Sequence, residues 1–105
     1  MEGLQNLHSW ASNGQDAVEK ASQLNPDLII LDVTMPNLDG FAAARQIRTF
    51  LPEVPILILS MHEGHTVVSE AQQAGAQGFV SKRDAANMLL KAVDAILQGQ
   101  TFFPI

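Results

Sequence analysis

Three polar side chains with complementary chemistry follow apolar segments of the sequence. Asp32 and Ser60 each come directly after four consecutive aliphatic residues, and Lys82 lies just beyond the apolar pair Phe79-Val80. A carboxylate can accept a phosphoryl group, a hydroxyl can hydrogen-bond the phosphoryl oxygens, and an ammonium group can offset their charge. These residue types therefore predict phosphoryl chemistry centred on Asp32.

Apolar strands and amphipathic helices alternate along the chain and must position these side chains. Strands are predicted at residues 28–32, 56–60 and 78–80. The predicted helices run from 13 to 24, from about 39 to just before Pro52, from 66 to 74, and from Asp84 to just before Gly99. In the last helix a long apolar stripe is expected to be buried, made of Ala86, Leu89, Leu90, Val93, Ile96 and Leu97.

The alternation of fully apolar strands with helices indicates an α/β fold with a doubly wound parallel sheet. Strands that are apolar on both faces are typical of a parallel sheet covered by helices on both sides. Right-handed crossovers place the carboxyl ends of such strands at one edge, where ligands bind. Asp32, Ser60 and Lys82 are therefore expected to meet at that edge although they are far apart in sequence.

Composition and charge restrict the class of protein. A chain of 105 residues that is 47% hydrophobic fits one globular domain over residues 1–105. Its formal charge of −5 and its scattered basic residues do not predict a nucleic-acid-binding surface. It has no cysteine, which excludes disulfides and thiolate metal sites. Its apolar runs are too short to cross a membrane, so we expect a soluble cytoplasmic protein.

Several motifs together resemble the receiver domain of bacterial two-component response regulators. They are, in chain order, Pro26-Asp27-Leu28 through Asp32, Met35-Pro36, Asp39-Gly40, Leu59-Ser60-Met61-His62, Ala74-Gly75-Ala76 and Phe79-Val80-Ser81-Lys82. The ending Gly99-Gln100-Thr101-Phe102-Phe103 is most similar to receivers that precede a LuxR-type helix-turn-helix. The resemblance covers residues 13–105 and implies the flavodoxin-like receiver fold.

The resemblance also implies a role for each residue at the predicted edge. Asp32 would be the phosphoacceptor, Ser60 the switch hydroxyl and Lys82 the charge partner of the phosphoryl group. Phe79 would be the switch aromatic, which changes rotamer as the hydroxyl moves. Mg²⁺ would be bound by the Asp32 carboxylate and the backbone carbonyl of Thr34. The implied partners are a histidine kinase or a small phosphodonor, and a C-terminal helix-turn-helix output domain that regulates transcription.

The start of the chain departs from the receiver pattern. A complete receiver begins with an apolar strand that ends in an acidic pair, followed by a first helix and a second strand. Within residues 1–12 we interpret Leu4, Leu7 and Trp10 as the end of the first helix, with the second strand reduced to a remnant around Trp10. The first strand and the acidic pair are missing, so the predicted receiver fold is N-terminally incomplete.

Two expectations follow from this departure. The first strand is central in the order 2-1-3-4-5, so its absence would expose one flank of strand 28–32. We expect either that further residues precede this segment in the gene product or that another chain covers the flank, which predicts a homo-oligomer. The magnesium site is expected to be short of ligands, because Mg²⁺ usually takes one or two carboxylates with phosphate and water oxygens and Asp32 is the one carboxylate assigned.

Two other functions stay open at this point. A pseudo-receiver would keep the fold and bind partners without phosphorylation, and the missing acidic pair favours it. A phosphatase of the aspartyl-phosphate type needs a second aspartate two positions after its nucleophile, where this chain has Thr34. We therefore predict a regulator rather than an enzyme.

Each candidate residue also has a plainer interpretation. Asp32 could simply end a strand by bonding to a nearby turn, Lys82 could be a solvated surface cation, and Phe79 could only pack in the core. His62 and His65 have the spacing of helical metal ligands, but they lack a third ligand and we interpret them as exposed loop residues.

Overall fold

The computed structural model describes residues 7–8, 27–33, 40–62 and 64–104. They form, in chain order, strand β1 (Leu7–His8), strand β2 (Leu28–Asp32), helix α1 (Gly40–Phe50), strand β3 (Ile56–Ser60), helix α2 (His65–Gln73), strand β4 (Gly78–Ser81) and helix α3 (Ala85–Leu97). The three predicted strands and the last three predicted helices are confirmed, with small shifts at their ends. The helix predicted at 13–24 lies outside the described residues, as does Thr34.

All four described strands are parallel and follow the order β1-β2-β3-β4. In the register between β2 and β3, Asp32 is opposite Leu59, and between β3 and β4 Ser60 is opposite Ser81. The backbone N–H of Val33 donates to the carbonyl of Leu59 at 3.0 Å, so pairing continues past Asp32. The sheet therefore fixes the backbone of Asp32 beside that of Ser60 at one edge.

Strand β3 separates two hydrophobic cores. Its five residues are all buried, with Ile56 and Ile58 in one core and Leu57 and Leu59 in the other. The first core is completed by Ala43, Ala44 and Ile47 of α1 and Ala71 of α2, the second by Ala92, Val93 and Ile96 of α3. Helices thus cover both faces of the sheet, which confirms the doubly wound α/β fold.

Strand β1 corrects the expectation for the start of the chain. Leu7 lies in a strand rather than at the end of a helix, and β1 pairs with Leu28 and Ile29 of β2. Leu28 and Ile29 are buried, so leaving their backbone groups unpaired would be costly, and the extended Leu7–His8 segment satisfies them. The flank expected to be open is therefore covered at its first two residues. Within the described part of the chain, no strand continues this pairing beside Asp32.

Helix α3 buries a narrower stripe than predicted. Ala92, Val93 and Ile96 are buried, but Leu90 is 83% exposed and Leu97 is 41% exposed. Successive residues of a helix are about 100° apart, so one contact with a flat sheet covers a limited arc. Leu90 lies outside that arc, which makes the prediction of its burial wrong. Ala86, at the start of the same stripe, is also exposed.

The residues after Gly99 return to the sheet, a connection that the sequence did not indicate. Phe102 forms an isolated parallel bridge with Gly78. Its N–H donates to the carbonyl of Gln77 at 2.9 Å, and its carbonyl accepts from the N–H of Phe79 at 2.9 Å. Phe102 and Phe103 then pack against opposite cores. This segment therefore supports the backbone of Phe79 from the outer side of β4.

Candidate functional site

The carboxyl edge of the sheet brings Asp32 and Lys82 into direct contact. The Lys82 Nζ donates a hydrogen bond to Asp32 Oδ2 and forms an ion pair with it, across fifty positions of sequence. The side chain of Lys82 is 33% exposed and that of Asp32 is 22% exposed. Surface ion pairs of this kind contribute about 0–1 kcal/mol to stability. The Lys82–Asp32 ion pair therefore adds little to the stability of the fold. Its main feature is that it places a carboxylate and an ammonium group at an accessible edge.

Ser60 joins this pair through its backbone and offers its hydroxyl nearby. Its carbonyl accepts a hydrogen bond from the N–H of Lys82 at 2.7 Å, so the two residues are bonded at the main chain. The fully buried side chain accepts a second bond at Oγ from the N–H of His62 at 2.9 Å. A hydroxyl that accepts a bond still has one proton to donate, so Ser60 can serve as a hydrogen-bond donor toward an oxygen at this edge.

Phe79 lies behind the edge, in the core formed with α1 and α2. Its side chain is 2% exposed. It lines a cavity of about 240 Å³, which also contacts Gly64, Met88 and Phe103. Gly64 is the residue immediately before α2. Phe79 therefore lies beside a space that also adjoins the residue before α2.

Helix α2 is held less firmly than its neighbours. Ala71 is its one fully buried residue, whereas α1 buries five residues and α3 buries three. Its N-cap residue, Gly64, makes no side-chain capping bond, which costs roughly a few tenths of a kcal/mol relative to a capping side chain. By the number of residues that it buries, α2 is therefore the least firmly packed of the three described helices.

Gly40 lets helix α1 approach the residue next to Asp32. It is the first residue of α1, and a Cβ atom placed on it would lie 2.5 Å from the Cα of Val33. No side chain fits at that distance, so this close approach requires glycine. Gly40 thus has a steric role beside the end of β2.

Two residues of the site were not recognised in the sequence. Ser81 and Asp84 flank Lys82, and Ser81 Oγ donates to Asp84 Oδ2 at 3.2 Å. Asp84, where the last helix was predicted to begin, occupies the N-cap position of α3, but its side chain makes no capping bond to the helix and bonds to Ser81 instead. The spacing of a serine three residues before an aspartate was the available signal.

Of the two predicted magnesium ligands, Asp32 lies within the described residues and Thr34 lies outside them. Asp32 provides a partly exposed carboxylate at the edge. Within the described part of the chain there is no group of three or more histidine, cysteine or acidic side chains able to hold a metal ion. His62 and His65 are both exposed, His62 in a loop as predicted and His65 at the first residue of α2. Mg²⁺ would thus depend on oxygens beyond those of the described side chains.

None of the described helices combines the length and the apolar character needed to cross a bilayer.

Comparison with known proteins identifies the family. Residues 1–94 match the family described as the response regulator receiver domain. The chain is 34% identical over 90 residues to the transcriptional regulatory protein DegU of Brevibacillus brevis, a match that covers 86% of this chain and 38% of DegU. It is 37% identical over 87 residues to the chemotaxis protein CheY of Bacillus subtilis, covering 83% of this chain and 72% of CheY. The chain therefore spans well under half the length of DegU.

Solved structures agree with the sequence comparison. A LuxR-family two-component response regulator from Aurantimonas sp. SI85-9A1 superposes with a TM-score of 0.82 and 35% identity, covering 88% of this chain and 66% of that one. The response regulator domain of Thermotoga maritima CheB superposes with a TM-score of 0.73 and 33% identity, covering 82% and 72%. The chain belongs to the response regulator receiver domains of two-component systems.

Proposed function

We propose that Asp32 is the phosphoacceptor of this receiver domain and that a histidine kinase or a small phosphodonor supplies the group. A carboxylate oxygen of Asp32 attacks the phosphorus, a new P–O bond forms, and the bond to the donor's leaving group breaks with its electrons. The product is an acyl phosphate. The ion pair between Lys82 and Asp32 is the observation that carries this proposal, because two distant chain segments place a cation against one particular carboxylate.

Lys82 changes partner when the group arrives. Phosphorylation of one Asp32 oxygen removes the carboxylate charge, and the phosphoryl group brings new negative charge to the same place. The Lys82 ammonium group, already within bonding reach of Asp32, then bonds to a phosphoryl oxygen and offsets that charge. The same cation thus holds the acceptor before transfer and the phosphoryl group after it.

Ser60 and Phe79 convert the new charge into a change of shape. The Ser60 hydroxyl donates its proton to a phosphoryl oxygen, which draws it away from the His62 N–H that it contacts now. Phe79 changes rotamer into the adjacent cavity, and Gly64 at the start of α2 lines that same cavity. The weakly held helix α2 is the element that this movement shifts.

Mg²⁺ is the cofactor of this proposal. Asp32 and the backbone carbonyl of Thr34 would hold it, with phosphoryl and water oxygens completing its coordination. When bound, the ion offsets charge on the phosphoryl oxygens. The transfer steps attributed above to Asp32, Ser60 and Lys82 describe what these residues themselves do.

Intact-mass spectrometry after incubation with acetyl phosphate and Mg²⁺ tests the phosphoacceptor. The wild-type chain is expected to gain one phosphoryl group that is stable in acid and lost in base. Asp32→Asn is expected to gain none, because an amide is a poor nucleophile. Asp94→Asn, which changes an exposed carboxylate of α3, is the matched control and should be modified like the wild type. Modification of Asp32→Asn at the wild-type level would overturn the assignment.

Lys82→Gln is expected to slow phosphorylation by acetyl phosphate by roughly tenfold, which corresponds to about 1.4 kcal/mol of transition-state stabilisation. The amide keeps much of the side-chain volume but has no charge to offer the phosphoryl oxygens. Initial rates of adduct formation, followed by mass spectrometry, measure this effect. Lys91→Gln removes an exposed lysine of α3 and should leave the rate unchanged; equal rates for both variants would exclude a role for Lys82.

A pseudo-receiver is the second candidate. The observation that favours it is the lack, among the described residues, of a cluster of acidic ligands beside Asp32. In that case the contact between Lys82 and Asp32 is a structural ion pair, and the domain binds partners without phosphate. A wild-type chain that gains no phosphoryl group from acetyl phosphate while remaining folded would favour this function over the first.

The domain would act within a larger regulator. We infer that residues 1–105 form a single receiver domain, that a C-terminal helix-turn-helix output domain regulates transcription, and that phosphorylation changes the contacts between them in the cytoplasm. The match to 38% of DegU supports this arrangement. We also infer a homo-oligomer, since within the described part of the chain β1 covers only the first two residues of the β2 flank, and a second copy of the chain would cover the rest.

A further inference from the structure

The turn from Ser81 to Asp84 is closed by two hydrogen bonds of the Ser81 hydroxyl. The Ser81 hydroxyl donates to Asp84 Oδ2 at 3.2 Å and accepts from the Asp84 N–H at 3.3 Å. The same N–H also donates to the Ser81 carbonyl at 3.0 Å. Ser81 is 6% exposed, so its hydroxyl has little access to water as an alternative partner. The Ser81 side chain thus bonds to both the carboxylate and the N–H of Asp84.

Lys82 lies inside this turn. Its N–H donates to the carbonyl of Ser60, which fixes the start of the turn to the end of β3. Ser81 and Asp84 fix the other side, so the Cα of Lys82 is held at both flanks. A lysine side chain has four flexible methylene groups and loses rotamer entropy when it is held in one geometry. Because its backbone is held in place, the Lys82 side chain has less freedom to lose, and this favours its contact with Asp32.

Helix capping accounts for the bond from the Asp84 N–H to the Ser81 hydroxyl, but it does not account for the contact of the Asp84 carboxylate. An N-cap aspartate stabilises a helix by accepting bonds from N–H groups of the first turn. The Asp84 side chain makes no such bond, and its carboxylate accepts from Ser81. The contact is therefore directed back toward the strand end that carries Lys82, and its effect falls on the turn.

We propose that Ser81 and Asp84 are positioning residues that aim the Lys82 ammonium group at Asp32. The proposal rests on the function proposed above and extends it to two residues that do not touch the phosphoryl group. Without the Ser81–Asp84 bond, Lys82 would occupy more rotamers and contact Asp32 for a smaller fraction of the time.

Reductive methylation with formaldehyde and cyanoborohydride measures this contact without phosphorylation. A Lys82 amino group that is held against Asp32 by a hydrogen bond is less accessible to the reagent than one that leaves this contact more often. Ser81→Ala and Asp84→Ala are each expected to speed methylation of Lys82 by about threefold, the size of a single net hydrogen bond. Lys91, exposed on α3 in the same molecule, should react at its wild-type rate in every variant.

A double variant and a conservative variant test whether the Ser81–Asp84 bond controls Lys82 methylation. If the two side chains act through one bond, Ser81→Ala combined with Asp84→Ala should speed Lys82 methylation no more than either change alone. Ser81→Thr keeps the hydroxyl and should restore the wild-type rate. Ser69→Ala is the matched control, since the Ser69 hydroxyl accepts from Gln73 on the surface of α2, and it should have no effect on Lys82.

Phosphorylation by acetyl phosphate provides the second readout. Asp84→Ala is expected to lower the maximal rate about fivefold with little change in the KM for acetyl phosphate, because the charge partner is misplaced while the donor still binds. An unchanged methylation rate of Lys82 in Asp84→Ala, or an equal rise at Lys91, would overturn the positioning role. Asp84 is exposed, so this variant keeps the test decisive even if Ser81→Ala does not fold.

The two measurements together distinguish failure of the phosphoacceptor proposal from failure of the positioning proposal. A wild-type chain that gains no phosphoryl group, combined with faster Lys82 methylation in both variants, would reject the phosphoacceptor proposal and leave the positioning of Lys82 intact.

Discussion

Arg48→Met is expected to lower the free energy of unfolding by about 3 kcal/mol, the combined cost of leaving several partly buried hydrogen-bond acceptors without a donor. Methionine keeps an unbranched side chain of similar length but has no donor. Urea denaturation followed by circular dichroism measures the change, and the melting temperature of a domain of this size should fall by about 12–24 °C.

The reason is the number of acceptors that one guanidinium group satisfies. Arg48 donates to the carbonyls of Leu51 at 3.0 Å, Pro52 at 3.0 Å, Val54 at 2.7 Å and Gly75 at 2.7 Å, and to Gln77 Oε1 at 3.0 Å. Gln77 Oε1 also accepts from the N–H of Ile56 at 2.9 Å, which connects the cluster to the start of β3. Partial burial lowers the pKa of Arg48 through desolvation, but an arginine remains charged at any physiological pH.

Arg45→Met is the matched control for this prediction. Arg45 lies on the same helix, one turn earlier, and is exposed, so its replacement should change the unfolding free energy by less than about 0.5 kcal/mol. Arg48→Lys should recover part of the loss, since an ammonium group can donate to some of the carbonyls but cannot span all of them. Equal stabilities for Arg45→Met and Arg48→Met would contradict the account of this cluster.

Gly40→Ala is expected to be the second large effect, with a loss of about 2–3 kcal/mol from overpacking. The new Cβ would lie 2.5 Å from the Cα and 2.6 Å from the Cγ1 of Val33. A backbone atom cannot move aside without displacing its neighbours, and the neighbour here is Asp32. The variant should therefore also phosphorylate more slowly. Thermal unfolding and adduct formation with acetyl phosphate measure the two effects.

Gly78→Ala is the comparison that shows how much of the Gly40→Ala loss comes from the 2.5 Å contact with a backbone carbon. A Cβ on Gly78 would lie 2.6 Å from Ile96 Cδ1 and 2.8 Å from Leu57 Cδ1, which are the ends of flexible side chains, and its nearest backbone atom would be the carbonyl oxygen of Phe102 at 3.2 Å. Those methyl groups can rotate, so the expected loss is only about 1 kcal/mol. A larger loss for Gly78→Ala than for Gly40→Ala would show that α1 does not press on Val33 as described.

The fold was predictable because its strongest signals are local. The two runs of four aliphatic residues that precede Asp32 and Ser60 could only be buried strands, and the structure buries β3 completely. Leu90 shows where this reasoning fails, because a helix with apolar residues over a wide arc does not reveal which part of the arc meets the sheet. The pairing of β1 and the bridge at Phe102 depend on backbone groups, which the side-chain pattern does not report.

For the candidate site, the sequence predicted which strand ends meet, but it did not predict the contacts of the turns around them. Parallel strands place their carboxyl ends together whatever their sequence, so the meeting of Asp32 with Lys82 follows from topology. The contacts of Ser81, Asp84 and Arg48 depend on the exact geometry of turns. A serine hydroxyl or a guanidinium group has many possible partners in a sequence, and only the fold selects among them.

The most direct test of the account is to locate the phosphoryl group. Borohydride reduces an aspartyl phosphate to homoserine, so treating the phosphorylated chain and sequencing the tryptic peptide 21–45 by mass spectrometry identifies the acceptor. That peptide contains Asp27, Asp32 and Asp39. The account predicts homoserine at position 32 alone; homoserine at position 27 or 39, with position 32 still aspartate, would contradict it.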